Sequence, residues 1–128
     1  MGGVNLRQSY DKQFVYPPQA KCMADRPTKM IHTVYFWLKE ELTEAERSNF
    51  VAGARALATA PTVLHFYGGG PAPTEERDVT DHSFDYSIHL HFASVPDQKL
   101  YQDDPVHLKF VEEQAHKFAT VKVFDSLA

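Results

Sequence analysis

The alternation of apolar and polar positions predicts that a buried strand opens the main domain. Residues 30–38 are rich in β-branched and aromatic side chains, which is typical of such a strand. Because alternate side chains of a strand point to opposite faces, the two faces can be compared directly. Both are largely apolar, with His32, Val34, Phe36 and Leu38 on one and Thr33, Tyr35 and Trp37 on the other. We therefore expect helices to cover one face and a second sheet to cover the other.

The next segments predict a helix and two further strands. Thr43 and Glu46 have capping-box spacing, and apolar residues then repeat at helical spacing until Pro61. Residues 62–67 indicate a second strand, which the glycines at 68–70 end. A loop of roughly 15 residues follows, a length that suggests function or disorder. Alternating apolar residues over 84–92 predict the third strand.

The C-terminal third predicts helical segments followed by a closing strand. Asp97 is expected to cap a short helical piece that reaches Tyr101, and Asp104 followed by Pro105 starts the last helix, which runs to about Lys117. Residues 120–124 supply the last strand. This order of strands and helices predicts an α+β domain over residues 30–128. We expect a ferredoxin-like βαββαβ fold with a four-stranded antiparallel sheet. Residues 1–29 show no sustained period and are interpreted as an irregular arm.

Composition narrows the class of protein. A chain of 128 residues with 43% hydrophobic content can close one core. The net charge of −4 argues against a nucleic-acid partner, and no apolar stretch is long enough for a membrane span. The single cysteine, Cys22, cannot form an internal disulfide, so we expect a cytoplasmic protein.

Three residues are candidates for chemistry. His107 is the third residue after the cap of the last helix, where the helix dipole disfavours imidazolium and favours a neutral proton acceptor. Tyr101 could orient His107 or donate a hydrogen bond to a carbonyl that is becoming an enolate. His32 shares an apolar face and therefore needs a polar partner, of which a ligand is one candidate. Each residue also has a non-catalytic interpretation, which the sequence leaves open. His107 could be a partly exposed histidine in the capping turn, Tyr101 a half-buried tyrosine that covers the core, and His32 a core histidine that is hydrogen-bonded within the protein.

Three other histidines are weak candidates for a metal site. His89 and His91 lie two residues apart on one strand face, and His65 on the neighbouring strand could supply a third ligand. The ordinary explanation for histidines on this face of the sheet is that they make polar contacts between subunits. We expect neither a metal nor a cofactor.

Several short motifs together resemble the stress-responsive dimeric α/β barrel family, called Dabb, across about residues 30–127. They are Met30, Ile31 and His32 opening the first strand, Lys39 ending it, the run Asp104 to His107, and Val123 to Asp125. The resemblance implies a homodimer in which two sheets close into a barrel with the helices outside. Its polyketide-cyclising plant members imply a metal-free site with His107 and Tyr101 as reactive residues and His32 nearby.

The sequence thus predicts a pocket between helices and sheet for a hydrophobic carbonyl compound. In that pocket His107 and Tyr101 would be catalytic and His32 would contact the ligand. The expected apolar wall consists of Val34, Phe36, Phe50, Ile88, Leu90 and Phe110. The reaction would be cofactor-independent proton transfer or polyketide cyclisation. The alternative is a non-catalytic, stress-induced dimeric module for binding or assembly, so the sequence leaves open whether the protein is an enzyme.

Overall fold

A computed structural model describes residues 26–128, so residues 1–25 of the predicted arm lie outside the described residues. Two short 3₁₀ turns, Leu57–Thr59 and Ala115–Lys117, follow the first and last helices. The strands and helices, in chain order, are β1 (Met30–Leu38), α1 (Glu44–Ala56), β2 (His65–Gly69), β3 (Tyr86–Phe92), α2 (Val95–Asp103), α3 (Pro105–Gln114) and β4 (Phe118–Leu127).

The four strands form one antiparallel sheet in the order β2-β3-β1-β4. Strand β1 lies inside the sheet and pairs with both β3 and β4. Its alternate residues are buried, as its sequence predicts. The ferredoxin-like α+β fold is therefore confirmed.

The core lies between the helices and one face of the sheet. Three buried phenylalanine rings and one partly buried ring pack together here, with centroids 5.0 to 6.0 Å apart: Phe36, Phe50 and Phe110, and the partly buried Phe118. Burial of each such side chain stabilises the fold by about 1.5–3 kcal/mol. Within residues 26–128, no helix has the length and apolar character needed to cross a membrane.

Strand β2 begins later than its apolar pattern predicts. Residues Val63 and Leu64, expected inside the strand, are buried in the connection before it, and the strand continues through Gly68 and Gly69. A side chain at Gly68 would meet a neighbour, since a Cβ there would lie 2.8 Å from the Tyr86 hydroxyl. Gly68, which suggests a stop in the sequence, therefore allows close packing within the strand.

Three other elements begin or end at residues that differ from the predicted ones, and in α2 the reason is a different capping residue. Helix α2 begins at Val95, three residues before the predicted start, because the Ser94 hydroxyl, and not Asp97, accepts the capping hydrogen bond, from the Asp97 N–H at 3.1 Å. Asp104 caps α3 as predicted, accepting from the Val106 N–H at 2.8 Å. Strand β3 is two residues shorter than expected, and β4 extends beyond residues 120–124 at both ends.

The capping box of α1 gives a direct test of this fold. The Thr43 hydroxyl accepts from the Glu46 N–H at 3.1 Å, and the Glu46 carboxylate accepts from the Thr43 N–H at 2.8 Å. We expect Thr43→Ala to lower the free energy of unfolding by about 1 kcal/mol, because an amide of the first turn loses its acceptor. Urea denaturation measures this change. Thr43→Ser keeps the hydroxyl and should retain most of the stability, and equal midpoints for all three proteins would contradict the role of the cap.

Candidate functional site

A cavity of about 180 Å³ lies between the helix layer and the sheet. It opens at the edge strand β4, because Val121 and Val123 line it and remain 40% and 51% exposed. Its polar end is formed by His32, Tyr101, Gln102 and His107. The rest of its wall is apolar and comes from Val34, Phe36, Leu57, Ile88, Phe110, Val111, Phe118, Val121 and Val123.

The cavity brings together most of the residues that the sequence singles out. The three polar candidates line it together with Val34, Phe36, Ile88 and Phe110. Phe50 and Leu90, which were expected in the wall, are fully buried in the core and are not among the lining residues. Phe50 instead packs behind the wall, with its ring centroid 5.1 Å from that of Phe36.

The hydrogen bonding of His107 defines which ring nitrogen can accept a proton. Its Nδ1 lies 3.0 Å from the backbone oxygen of Gln102. A carbonyl oxygen only accepts, so Nδ1 carries the hydrogen and Nε2 of the neutral ring is the proton acceptor. Burial lowers the pKa of His107, and the nearby His32 ring lowers it further, against the raising effects of the Gln102 carbonyl and Asp103. The imidazole is therefore neutral at pH 7.

Tyr101 lies between the two cavity histidines. Its ring centroid is 4.9 Å from that of His107 and 5.9 Å from that of His32. Burial raises the pKa of its phenol, so the hydroxyl keeps its proton at neutral pH and can donate. Within residues 26–128 no hydrogen bond engages this hydroxyl, and the residue lines the cavity. A ligand bound in the cavity would therefore lie beside this residue.

His32 is held by Asp125, a residue that sequence reasoning missed. The two are directly opposite each other in the β1–β4 register, and His32 Nδ1 lies 2.5 Å from Asp125 Oδ1. The histidine side chain is 7% exposed and the carboxylate 48%, so the contact joins a buried ring to the edge of the sheet. The need for a polar partner is visible in the sequence. Its identity depends on strand register, for which no local pattern gives a signal.

The three histidines considered for a metal lie on the other face of the sheet. His65 is opposite His91, with ring centroids 5.7 Å apart. The ring nitrogens of His89 lie 3.4 Å from the Thr33 hydroxyl and 3.2 Å from the Ser87 hydroxyl. Among the described residues, no group of three or more His, Cys, Asp or Glu side chains is placed to hold a metal ion. The hydroxyl contacts give His89 a structural role.

Comparison with known proteins identifies the family. Residues 30–128 match the family model described as the stress responsive A/B barrel domain. The chain belongs to this family. The resemblance that the sequence motifs indicate is thereby confirmed, and the cavity described above is a feature of this chain's stress responsive A/B barrel domain.

Solved structures with the same fold include three informative cases. A hydroxynitrile lyase from Passiflora edulis is 21% identical, with a TM-score of 0.67, covering 80% of this chain and 95% of that chain. A Dabb family protein from Mesorhizobium loti is 22% identical, with a TM-score of 0.64, covering 80% and 98%. A dimeric ferredoxin-like protein of unknown function from Thermobifida fusca is 15% identical, with a TM-score of 0.64, covering 79% and 92%. Among curated proteins no sequence match was found.

The His32–Asp125 contact can be tested without a ligand. We expect nitrogen-15 NMR of the imidazoles to show a hydrogen on His32 Nδ1 in the native protein. Asp125→Ala should remove this preference and lower the free energy of unfolding by about 1–3 kcal/mol, because a buried donor loses its acceptor.

The matched control for this experiment is Ser126→Ala. Ser126 is the next residue along β4 and points to the opposite face, so its removal should leave the His32 spectrum unchanged. An unchanged His32 spectrum in Asp125→Ala would show that the contact does not set the tautomer.

Proposed function

We propose that the protein catalyses cofactor-independent proton transfer on a small hydrophobic carbonyl compound bound in the cavity. The observation that carries this proposal is the hydrogen bond from His107 Nδ1 to the Gln102 carbonyl. It leaves Nε2 as a neutral base in a residue that lines an apolar cavity beside the Tyr101 hydroxyl. A base with a lowered pKa and an unengaged donor are the two groups that enolisation requires.

The proposed reaction starts with removal of a proton from the carbon next to the carbonyl. His107 Nε2 accepts this proton, and the C–H electron pair moves into the new enolate. The Tyr101 hydroxyl donates to the carbonyl oxygen as negative charge develops there. The enolate carbon then either regains the proton from His107 or attacks a second carbonyl of the same molecule. In the second case a carbon–carbon bond forms, the π electron pair of that carbonyl moves to its oxygen, and this oxygen takes the proton from the His107 imidazolium. The second outcome is what the sequence resemblance to plant olivetolic acid cyclase implies.

His32 is proposed to contact the polar end of the ligand without taking the proton. Its Nδ1 is engaged by Asp125, so only Nε2 remains for a ligand. The similar structure of a hydroxynitrile lyase is compatible with an enzyme of this fold, although a fold does not specify a reaction. The alternative of a purely binding dimer has less support, because a filled core with His107 in water would favour it and a cavity lined by His107 does not.

Acetophenone is a suitable probe of the proposed base, since it combines one ring with one enolisable methyl ketone. We expect the protein to catalyse exchange of its methyl hydrogens in D₂O, followed by proton NMR. His107→Ala should slow this exchange by about 10²–10⁴-fold. The rate should persist as pH falls through the ordinary histidine range near 6.5 and decline below it, because the lowered pKa keeps Nε2 unprotonated.

Two further variants separate the roles in this experiment. Tyr101→Phe keeps the ring and removes the hydroxyl, so exchange should fall by about 10²-fold while the pH profile is retained. His82→Ala, in the loop between β2 and β3, should leave the rate unchanged because His82 does not line the cavity. Exchange that persists in folded His107→Ala, or is absent from the unaltered protein, would contradict the proposal.

We also propose that the helix-free face of the sheet pairs with a second copy of the chain. Tyr35, Trp37, Phe84 and Phe124 surround a depression of about 300 Å³ on this face. Phe124 and Tyr67 are each 59% exposed, which is unusual for aromatic rings on the surface of a monomer. The similar protein from Thermobifida fusca is described as dimeric. A second copy would cover the aromatic patch and leave the cavity on the opposite face accessible.

Trp37 provides the test of the dimer. We expect Trp37→Asp to yield a folded monomer, because a carboxylate would be buried at the contact without a partner. Sedimentation equilibrium measures the mass of the particle. Trp37→Phe, which keeps an aromatic ring, should remain a dimer. A dimer of normal mass for Trp37→Asp, or a monomer for the unaltered chain at high concentration, would contradict the proposed interface.

A further inference from the structure

Phe110 separates the cavity from a second depression on the outer surface of the helix layer. This depression is a groove of about 340 Å³ between α1 and α3. Of the residues that the structure describes as lining either space, Phe110 alone lines both. The residue is 6% exposed, so the wall that the two spaces share includes a buried aromatic residue.

The two sides of this partition have different characters. On the cavity side the Phe110 ring packs against Phe36 and Phe118, with centroids 6.0 Å apart in each case. On the groove side α1 contributes small residues, Ala52, Gly53 and Ala56. The small side chains of α1 leave room on the groove side, and Phe110 belongs to the wall of both spaces.

We propose that Phe110 is a specificity-determining residue that limits the length of the ligand. This inference rests on the proposed function, since it concerns the compound that the same cavity would bind. An apolar cavity of about 150 Å³ holds benzene, whereas pockets for drug-sized ligands are typically about 300–1,000 Å³. With about 180 Å³, the cavity accommodates one ring or a short chain with its carbonyl at the histidine end.

A longer chain that points away from the histidines meets the Phe110 ring. His107 and Phe110 are three residues apart on α3, so they lie on the same side of the helix, about one turn from each other. A carbonyl held at His107 therefore directs one substituent along the helix toward Phe110. Removal of the ring would join the cavity to the groove, where Val106 offers further apolar surface and Lys109 and Glu113 supply a polar rim.

The inference predicts a chain-length limit for linear methyl ketones, with butanone as the shortest probe, measured by isothermal titration calorimetry. In the unaltered protein each added methylene should strengthen binding by about fourfold until the chain reaches Phe110, after which affinity should fall. In Phe110→Ala the limit should move to longer chains, with a gain of about tenfold or more for the first ketone that the unaltered protein rejects. Phe110→Val serves the same purpose if the alanine variant does not fold.

Phe118→Val is the matched control for Phe110→Val. It removes the same atoms from the cavity wall, but Phe118 does not line the groove, so Phe118→Val should enlarge the cavity by the lost ring atoms only and shift the chain-length limit less than Phe110→Val does. A crystal structure of Phe110→Val with a long ketone should show the chain between α1 and α3. The same limit in Phe110→Val and the unaltered protein, or an equal shift in Phe118→Val, would overturn the inference and leave the proposed function intact. No binding of any ketone by the unaltered protein would overturn both.

Discussion

The hydrogen bond between His32 and Asp125 is the interaction on which the cavity depends. An imidazole on an apolar sheet face loses its contacts with water, and the loss must be offset by a protein partner. The β1–β4 register supplies that partner from a residue 93 positions away in the chain. Because the ring is fixed, Tyr101 can pack against its edge, and the polar end of the cavity acquires a defined shape.

The break between α2 and α3 organises the other half of the site. The Asp104 carboxylate caps the N-terminus of α3. The backbone oxygen of Gln102, near the end of α2, accepts a hydrogen bond from His107 Nδ1. Backbone geometry thus selects the tautomer of His107 before any ligand binds. Polar groups that are held in place without a ligand do not have to reorganise during a reaction, and this is the main requirement for electrostatic stabilisation in an active site.

Much of the fold follows from patterns that extend over a few residues. Alternation defines the face of each strand, and cap residues mark where helices begin, so the order of elements follows from the sequence. The differences arise where two local signals compete. The Ser94 hydroxyl caps α2 although Asp97 is an equally good capping residue, and Val63 is buried in a connection although it has strand character. Burial in the core accounts for the position of Val63, which is 0% exposed.

The sequence by itself determined where the candidate histidines lie in their local elements, because a helix cap places His107 in a first turn and strand alternation places His32 on the core face. Tertiary structure alone decided that Asp125 is the partner of His32 and that Phe50 lies behind the cavity wall. The position of a residue within its helix or strand depends on the few residues around it. Partnership and access to a cavity depend on register and on distances between segments far apart in the chain, which arise only when the whole core packs.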